Sequence, residues 1–308
     1  MINDKEVAVI GLGPSGVSAS IYLKRYGLEP IAFEKENIGG KVNKTEVIEN
    51  YAGLTKIKGF ELGMNFENQI NSFAIKTIYK EIKSLTLNDD GSFHIEYGNN
   101  LSNDFKYVIL ANGLNDRPFA INNEEKYHKR GISRCAICDG PLYKNKDVAI
   151  VGAGNSAFEE GLYLASICSH VYLIARREEF RADVTLVKKF EKLDNTTIYA
   201  PYEIIDSNGE KSISEITIKN RKDESSAKLN ISGLFLYVGD VPNTEFIKLD
   251  DLKRDNGYII VNSNKETNIK NLYAVGDCTN TTLRQVATAV SDGAKAASSI
   301  FNHYQSTH

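Results

Sequence analysis

Val7-Ala-Val-Ile-Gly-Leu-Gly-Pro-Ser-Gly16 and Val148-Ala-Ile-Val-Gly-Ala-Gly-Asn-Ser-Ala157 are two copies of one plan, and their reading decides the fold. Each is a short apolar run that ends in a glycine-rich turn and opens an amphipathic stretch, to Tyr26 in the first copy and to Ile167 in the second. A second apolar run comes next, Pro30-Ile-Ala-Phe33 and Val171-Tyr-Leu-Ile174. Strand, tight turn, helix, strand is the βαβ unit that binds dinucleotides. Its glycines allow the turn and a close backbone approach, and the free N–H groups of the helix amino end hold a pyrophosphate.

The chain beyond each copy repeats as well. Alternating segments Thr77–Leu87 and Ser92–Tyr97 are split by Asp90-Gly91, and Thr197–Ile205 and Ile213–Ile218 by Asn208-Gly209. Period-two alternation broken by such a dipeptide predicts a hairpin, because the turn needs positive φ. Apolar runs then return, Tyr107-Val-Ile-Leu-Ala-Asn-Gly113 and Gly233-Leu-Phe-Leu-Tyr-Val-Gly-Asp240. The expectation is an α/β chain of two Rossmann-like dinucleotide-binding domains with three-layer ββα architecture and small antiparallel insertions. Linkers are expected near Asn112–Pro118 and Asp240–Phe246, where glycine, proline and asparagine break the patterns.

Composition narrows the classes. A length of 308 residues suits two domains. With 37 basic and 40 acidic side chains the formal charge is −3, which argues against nucleic acid or anionic lipid as the main partner. No apolar run is long enough to span a membrane. The polar opening Met1–Glu6 leads straight into a strand and is read as leaving no room for a signal peptide. Four cysteines in so long a chain are no disulfide scaffold, so a soluble cytoplasmic protein is expected.

The end of the second strand tells the two turns apart. Glu34 stands where a carboxylate accepts hydrogen bonds from a ribose diol. The matching position in the second copy is Ala175, followed by Arg176, Arg177 and Arg181. A carboxylate repels a 2′-phosphate, whereas a guanidinium fork binds it. The first site therefore reads as an adenine dinucleotide with a free diol and the second as NADP-type, one a resident flavin and the other a nicotinamide. The competing reading of the arginines is a solvated basic face; their offset from the glycine turn favours the nucleotide.

Cys135-Ala-Ile-Cys138-Asp139-Gly140 holds the one close cysteine pair, which is either a redox disulfide or half of a zinc site. Zinc needs a second pair, but Cys168 and Cys278 stand alone, and of the five histidines only His170 falls near one of them. No metal is assigned. Asp139 adjoins the pair and is either a proton shuttle or an ordinary turn carboxylate. Cys168 reads as a buried core residue, and Cys278 receives no chemical role. His94, His128 and His170 read as surface or packing residues, with His303 and His308 on a tail.

These segments together resemble the low-molecular-weight thioredoxin reductases, class II of the FAD/NAD(P)-dependent pyridine nucleotide-disulfide oxidoreductases. The resemblance spans essentially the whole chain. It rests on residues 11–16, Ile-Gly-Gly-Lys at 38–41, Ile-Glu-Asn-Tyr-Ala-Gly at 48–53, the cysteine segment 135–140, and residues 152–160, 175–182 and 273–289. The specific part is the CxxCDG between the two glycine motifs. In glutathione-reductase-like enzymes the disulfide comes shortly after the first glycine motif, yet residues 36–60 hold no cysteine here. Relatives that reduce peroxiredoxins carry extra amino-terminal domains, for which this length is read as leaving no room.

The resemblance implies an FAD-binding domain of residues 1–115 and 245–308 and an inserted NADPH-binding domain of residues 116–244 that bears the disulfide. Gly11, Gly13, Pro14, Ser15, Gly16 and Glu34 would hold the ADP half of FAD. Gly40, Lys41, Asn50, Gly113, Asp277, Arg284, Gln285 and Val286 would line its remainder. Gly152, Gly154, Asn155, Ser156, Ala157, Arg176, Arg177 and Arg181 would hold NADPH. Hydride would pass from NADPH to FAD, then electrons to a Cys135–Cys138 disulfide and on to thioredoxin. Cys138 would face the flavin, Cys135 would attack the substrate disulfide, and Asp139 would handle the proton. The linkers would be hinges between two orientations of the NADPH domain, and a homodimer is implied. Lys41, Asn112 and Ala175 depart from the glutamine, threonine and histidine that the family pattern carries. Alternatives are a flavin-dependent dithiol oxidase, a ferredoxin-linked reductase, and a redox-sensing flavoprotein or zinc scaffold without turnover; the retained arginines speak against the first two.

Overall fold

The apolar runs Val7–Ile10, Ile31–Glu34, Tyr107–Leu110 and Gly233–Leu236 are buried along their whole length. Strands without a polar face suit the interior of a parallel sheet covered on both sides, and that is where they lie. The computed structural model describes residues 7–45, 47–117, 119, 121, 124–127 and 130–307. Pro118, His128 and His308 lie outside the described residues. The chain forms two units, one reaching to Asn115 and resuming at Val241, the other running from Asp116 to Asp240.

In the first unit a parallel sheet has the order Leu272–Ala274, Tyr107–Leu110, Val7–Ile10, Ile31–Glu34, Lys76–Tyr79. Alternation along its strands divides the core. Val7 and Val9 pack with Leu23, Phe66 and Ile300 of the helices Pro14–Arg25, Gly59–Ser72 and Val286–Thr307. Ala8 and Ile10 pack with Leu85, Phe93 and Ile95 of an antiparallel meander, Ile82–Leu87, Phe93–Tyr97 and Leu101–Phe105. Helices, parallel sheet and meander make the three layers expected.

The second unit repeats the plan, with strand order Ile132–Ser133, Gly233–Leu236, Asp147–Val151, His170–Ile174, Thr196–Tyr199. Val148 and Ile150 pack with Phe158 and Phe190 of the helices Asn155–Ala165 and Val184–Glu191. Ala149 and Val151 pack with Ile216 and Ile218 of the meander Tyr202–Asn208, Glu215–Asn220, Ser226–Asn230. The edge strand beside the returning strand is drawn from opposite ends: Leu272–Ala274 comes after everything else in its sheet, Ile132–Ser133 precedes it.

The structure divides two segments that read as continuous. Thr77–Leu87 contains the last parallel strand and the first meander strand, parted where the Lys80 N–H bonds the Ile78 carbonyl. Thr197–Ile205 is parted in the same way, at Ala200-Pro201. The glycine turns sit at the predicted hairpins, with Gly91 at φ +82°.

The helices Pro14–Arg25 and Val286–Thr307 approach so closely that Gly293 has no room for a side chain. A Cβ there would stand 2.1 Å from the Ser15 carbonyl oxygen and 2.8 Å from the Ala19 nitrogen. Both obstacles are backbone, so Gly293→Ala is expected to force the helices apart at a cost of about 3 kcal/mol. Urea unfolding checks this: an unchanged midpoint would mean that the helices have slack.

Candidate functional site

The first unit places its glycine turn between Val7–Ile10 and Pro14–Arg25. Gly11 takes φ +96°, and a Cβ on it would meet the Ala111 carbonyl oxygen at 2.5 Å. A Cβ on Gly16 would fall 1.8 Å from the Gly11 carbonyl oxygen. These glycines let the helix begin against the strand. Gly13 differs: a Cβ there would meet nothing within 4 Å. Open space thus lies before a helix whose N-cap offers no side-chain bond and whose first turn holds no acid. Pro14 at its start has no N–H to satisfy. Uncapped amide N–H groups facing open space fit a pyrophosphate.

Glu34 is buried, and its carboxylate accepts the Leu12 N–H at 2.8 Å and the Glu36 N–H at 2.9 Å. A carboxylate has about four acceptor positions, so lone pairs remain for a diol. The 38–41 segment lies along the turn, with the Gly39 N–H on the Leu12 carbonyl and a Cβ on Gly40 only 3.5 Å from Gly13 Cα. Lys41 lies in the 3-10 turn Gly40–Lys44 and is exposed.

Chain-distant residues also meet here. Asn50 Nδ2 donates to Gln285 Oε1 at 3.1 Å. The Arg284 guanidinium stacks 4.3 Å above the Tyr258 ring and donates to the carbonyls of Asp277 and Thr279. Asp277 sits in the turn Gly276–Cys278, whose Gly276 N–H reaches buried Asp292, itself paired with Lys265 at 2.7 Å. Val286 opens the last helix. Gly113, at φ +58°, faces open space, and Asn112 Oδ1 is buried with no hydrogen-bond partner among the described residues. A buried acceptor left unmatched calls for a donor, and the hydroxyls of a ribityl chain are of that kind.

In the second unit a Cβ on Gly152 would meet the Tyr237 carbonyl oxygen at 2.6 Å, while Gly154 faces open space before an uncapped helix. Ala157 is buried where the helix presses on the sheet; Ser156 is exposed. The arginine segment is stitched to this turn. The Arg181 N–H donates to the Ala153 carbonyl, and Asn155 exchanges two hydrogen bonds with Asp183. Arg176, Arg177 and Arg181 are exposed, and among the described residues none of their guanidiniums is in an ion pair. Ala175 is buried and offers nothing polar.

Cys135 and Cys138 of the second unit form a disulfide across the short helix Ala136–Asp139. The Cys138 N–H points at Cys135 Sγ at 3.2 Å, and the Tyr237 hydroxyl accepts the Ala136 N–H at 2.9 Å. Buried Ser133 is central: its hydroxyl accepts the Cys135 N–H at 3.1 Å and donates to Asp139 Oδ2 at 2.6 Å. A hydroxyl has one proton, and the charged acceptor at the shorter distance takes it in preference to the Cys135 carbonyl at 3.2 Å. Burial, then the Asp139 charge, pushes the Tyr143 phenol up. Among the described residues no group of three or more His, Cys, Asp or Glu is arranged to hold a metal, and no described helix is long and apolar enough to cross a membrane. His94 bonds Asp104, His170 bonds Thr197, and His303 packs edge-on against Tyr107.

Sequence reasoning misses Ser133, Tyr237, Tyr258, Lys265 and Asp292. No spacing rule marks them, and each matters through a partner the fold brings near.

Two dinucleotide turns and a CxxC disulfide define a nucleotide-dependent disulfide oxidoreductase. The pyridine nucleotide-disulphide oxidoreductase family model matches residues 5–293. A thioredoxin reductase of Mycoplasma genitalium is 38% identical over 293 residues, covering 94% of this chain and 92% of that protein. The crystal structure of Lactococcus lactis thioredoxin reductase superposes with a TM-score of 0.93 at 31% identity, covering 98% of this chain and 99% of that one. That of T. acidophilum thioredoxin reductase gives 0.90 at 30% identity, with 98% and 99% covered. The chain belongs to the pyridine nucleotide-disulphide oxidoreductases and, within them, to the thioredoxin reductases.

This geometry has two measurable outcomes. Ser133→Ala removes the bond that orients Asp139 and is expected to slow turnover of a disulfide substrate about tenfold, with Asp139→Asn slower by about a hundredfold; stopped-flow traces of disulfide reduction measure both. Separately, burial pushes the Cys168 thiol up to about 11 and the Cys278 thiol up to about 12. The thiolate is the reactive form, so both stay protonated and inert near pH 8. Native oxidised protein is expected to show no thiol reactive to Ellman's reagent and reduced protein two, out of four cysteines in all.

Proposed function

We propose that this chain is an NADPH-dependent thioredoxin-disulfide reductase, carried chiefly by one observation: a disulfide whose neighbouring carboxylate is already oriented by Ser133. In the net reaction NADPH and a proton reduce the thioredoxin disulfide to a dithiol, leaving NADP⁺. Bound FAD supplies the two-electron relay between nicotinamide and disulfide.

The first unit, residues 1–115 and 245–308 in this reading, binds FAD. The turn Gly11, Gly13, Pro14, Ser15 and Gly16 takes the pyrophosphate on its uncapped helix, and Glu34 takes the ribose diol. Gly40, Lys41, Asn50, Gly113, Asp277, Arg284, Gln285 and Val286 line the remainder; the Asn50–Gln285 bond and the Tyr258 platform under Arg284 support that placement. Residues 116–244 bind NADPH, with Gly152, Gly154, Asn155, Ser156 and Ala157 at the diphosphate and Arg176, Arg177 and Arg181 at the 2′-phosphate. The three exposed guanidiniums support this choice over NADH.

Once the pair is reduced, Cys135 Sγ attacks a sulfur of the thioredoxin disulfide. One S–S bond breaks as a mixed disulfide forms, and the leaving thioredoxin thiolate takes a proton. Cys138 Sγ then attacks Cys135 Sγ, restoring the Cys135–Cys138 bond and releasing the second thioredoxin thiol. Asp139 carries the proton to and from the Cys138 sulfur, held in place at Oδ2 by Ser133. A cytoplasmic setting accords with Cys168 and Cys278 remaining thiols. The homodimer belongs to the same reading, and sedimentation at twice the chain mass would bear it out.

Anaerobic titration of the yellow protein tests the proposal. NADPH is expected to bleach the flavin band, thioredoxin to restore it, and NADH to require much higher concentration. Cys135→Ser should keep the bleaching and abolish the recovery. Bleaching by dithionite but by neither nucleotide would overturn the NADPH reading.

A further inference from the structure

The strands Glu215–Asn220 and Ser226–Asn230 of the second unit are joined by a turn, Arg221-Lys-Asp-Glu-Ser225, far in sequence from any nucleotide motif. Its own acids already have partners within the hairpin. Asp223 accepts the Ser225 N–H and hydroxyl, which lowers its carboxyl, and Glu224 pairs with Lys219 at 3.1 Å. The Lys222 N–H bonds Asn220 Oδ1 and the Arg221 N–H bonds the Pro201 carbonyl, so the turn is fixed.

Its two cations reach the loop just beyond the strand His170–Ile174. Arg221 Nη1 donates to the Arg176 carbonyl at 3.3 Å, while its Nε lies 3.5 Å from Glu203. Lys222 Nζ stands 2.6 and 2.7 Å from the two carboxylate oxygens of Glu178. Glu178 comes directly after Arg176 and Arg177, and left alone its carboxylate would compete for those guanidiniums and repel a doubly charged phosphate.

We propose that the Arg221–Ser225 turn is a specificity element for adenine nucleotides bearing a 2′-phosphate. Lys222 sequesters Glu178 with both oxygens occupied, leaving Arg176 and Arg177 to the phosphate. Arg221, its charge balanced by Glu203, positions the backbone at Arg176. The turn thereby makes up for the polar group that buried Ala175 does not provide. This rests on the reading of the second unit as an NADP-type site.

Calorimetric titration of the flavin-loaded, oxidised protein with adenosine 2′,5′-bisphosphate and with 5′-AMP isolates the one phosphate at issue. Wild type is expected to prefer the bisphosphate at least about tenfold. Lys222→Gln and Arg221→Gln should each weaken bisphosphate binding about fivefold with AMP unchanged. Glu178→Gln added to Lys222→Gln should return the affinity to within about twofold of wild type, because the carboxylate that Lys222 covers is then gone. A role in folding alone would move both ligands together. If wild type prefers the bisphosphate and both single variants keep that ratio, or the double variant stays as weak as Lys222→Gln, the proposal is wrong. If wild type itself shows no preference, the NADP-type reading falls first.

Discussion

Missing Cβ atoms at a few positions set the geometry on which the first unit depends. Gly16 lets the helix Pro14–Arg25 start against the Gly11 carbonyl, and Gly293 lets Val286–Thr307 lie on the backbone of that same helix. Gly276, at φ +72°, brings the Asp277 turn to within 2.7 Å of Ser15 Oγ as measured from a would-be Cβ. An uncapped helix end, an acidic turn and the start of the last helix are therefore gathered at one edge of the sheet. Side chains of ordinary size would hold these elements apart, and the amide groups of the first turn would face protein atoms instead of open space. The ion pair of half-buried Lys265 with buried Asp292 then fixes the Gly276 amide from behind; its value lies in orientation, since taking charges out of water costs much of what their attraction returns.

The fold was legible where its causes are local. Apolar runs ending in glycine and alternation broken by Asp90-Gly91 or Asn208-Gly209 are short-range signals, and the structure has strands and turns at those places. The third meander strands were not legible, for a physical reason. Leu101–Phe105 and Ser226–Asn230 are edge strands with mostly exposed side chains, so selection for burial leaves little pattern in Leu-Ser-Asn-Asp-Phe or Ser-Ala-Lys-Leu-Asn. Thr77–Leu87 reads as one strand because alternation continues across the point where the chain leaves one sheet for another.

The candidate site divides in the same way. Glycines, Glu34, the arginines and the cysteine pair announce themselves by residue type at a fixed offset. Partners that act on them do not. Ser133 is one serine among many until its hydroxyl is seen between the Cys135 amide and the Asp139 carboxylate, and Tyr258 acquires meaning only beneath Arg284. Such residues orient a group already chosen for its chemistry, and orientation is a property of the folded chain.

The source of the two edge strands bears on how the molecule is made. The second unit is contiguous in sequence, and its edge strand Ile132–Ser133 has already left the ribosome when Gly233–Leu236 arrives. Its sheet is complete before the strand Leu272–Ala274 and the helix Val286–Thr307 of the first unit are synthesised. The first unit is in the opposite situation. Its glycine turn is made before the insert, yet the strand that closes its sheet, Leu272–Ala274, and the helix that packs on Pro14–Arg25 are both made after it. Tyr107 and its neighbours must wait, with one side of their strand unpaired, through the synthesis of an entire inserted unit. The order of birth thus runs against the order of the sequence: the unit that begins second is finished first, and prompt folding of the insert brings the two halves of its host together by shortening the loop that separates them.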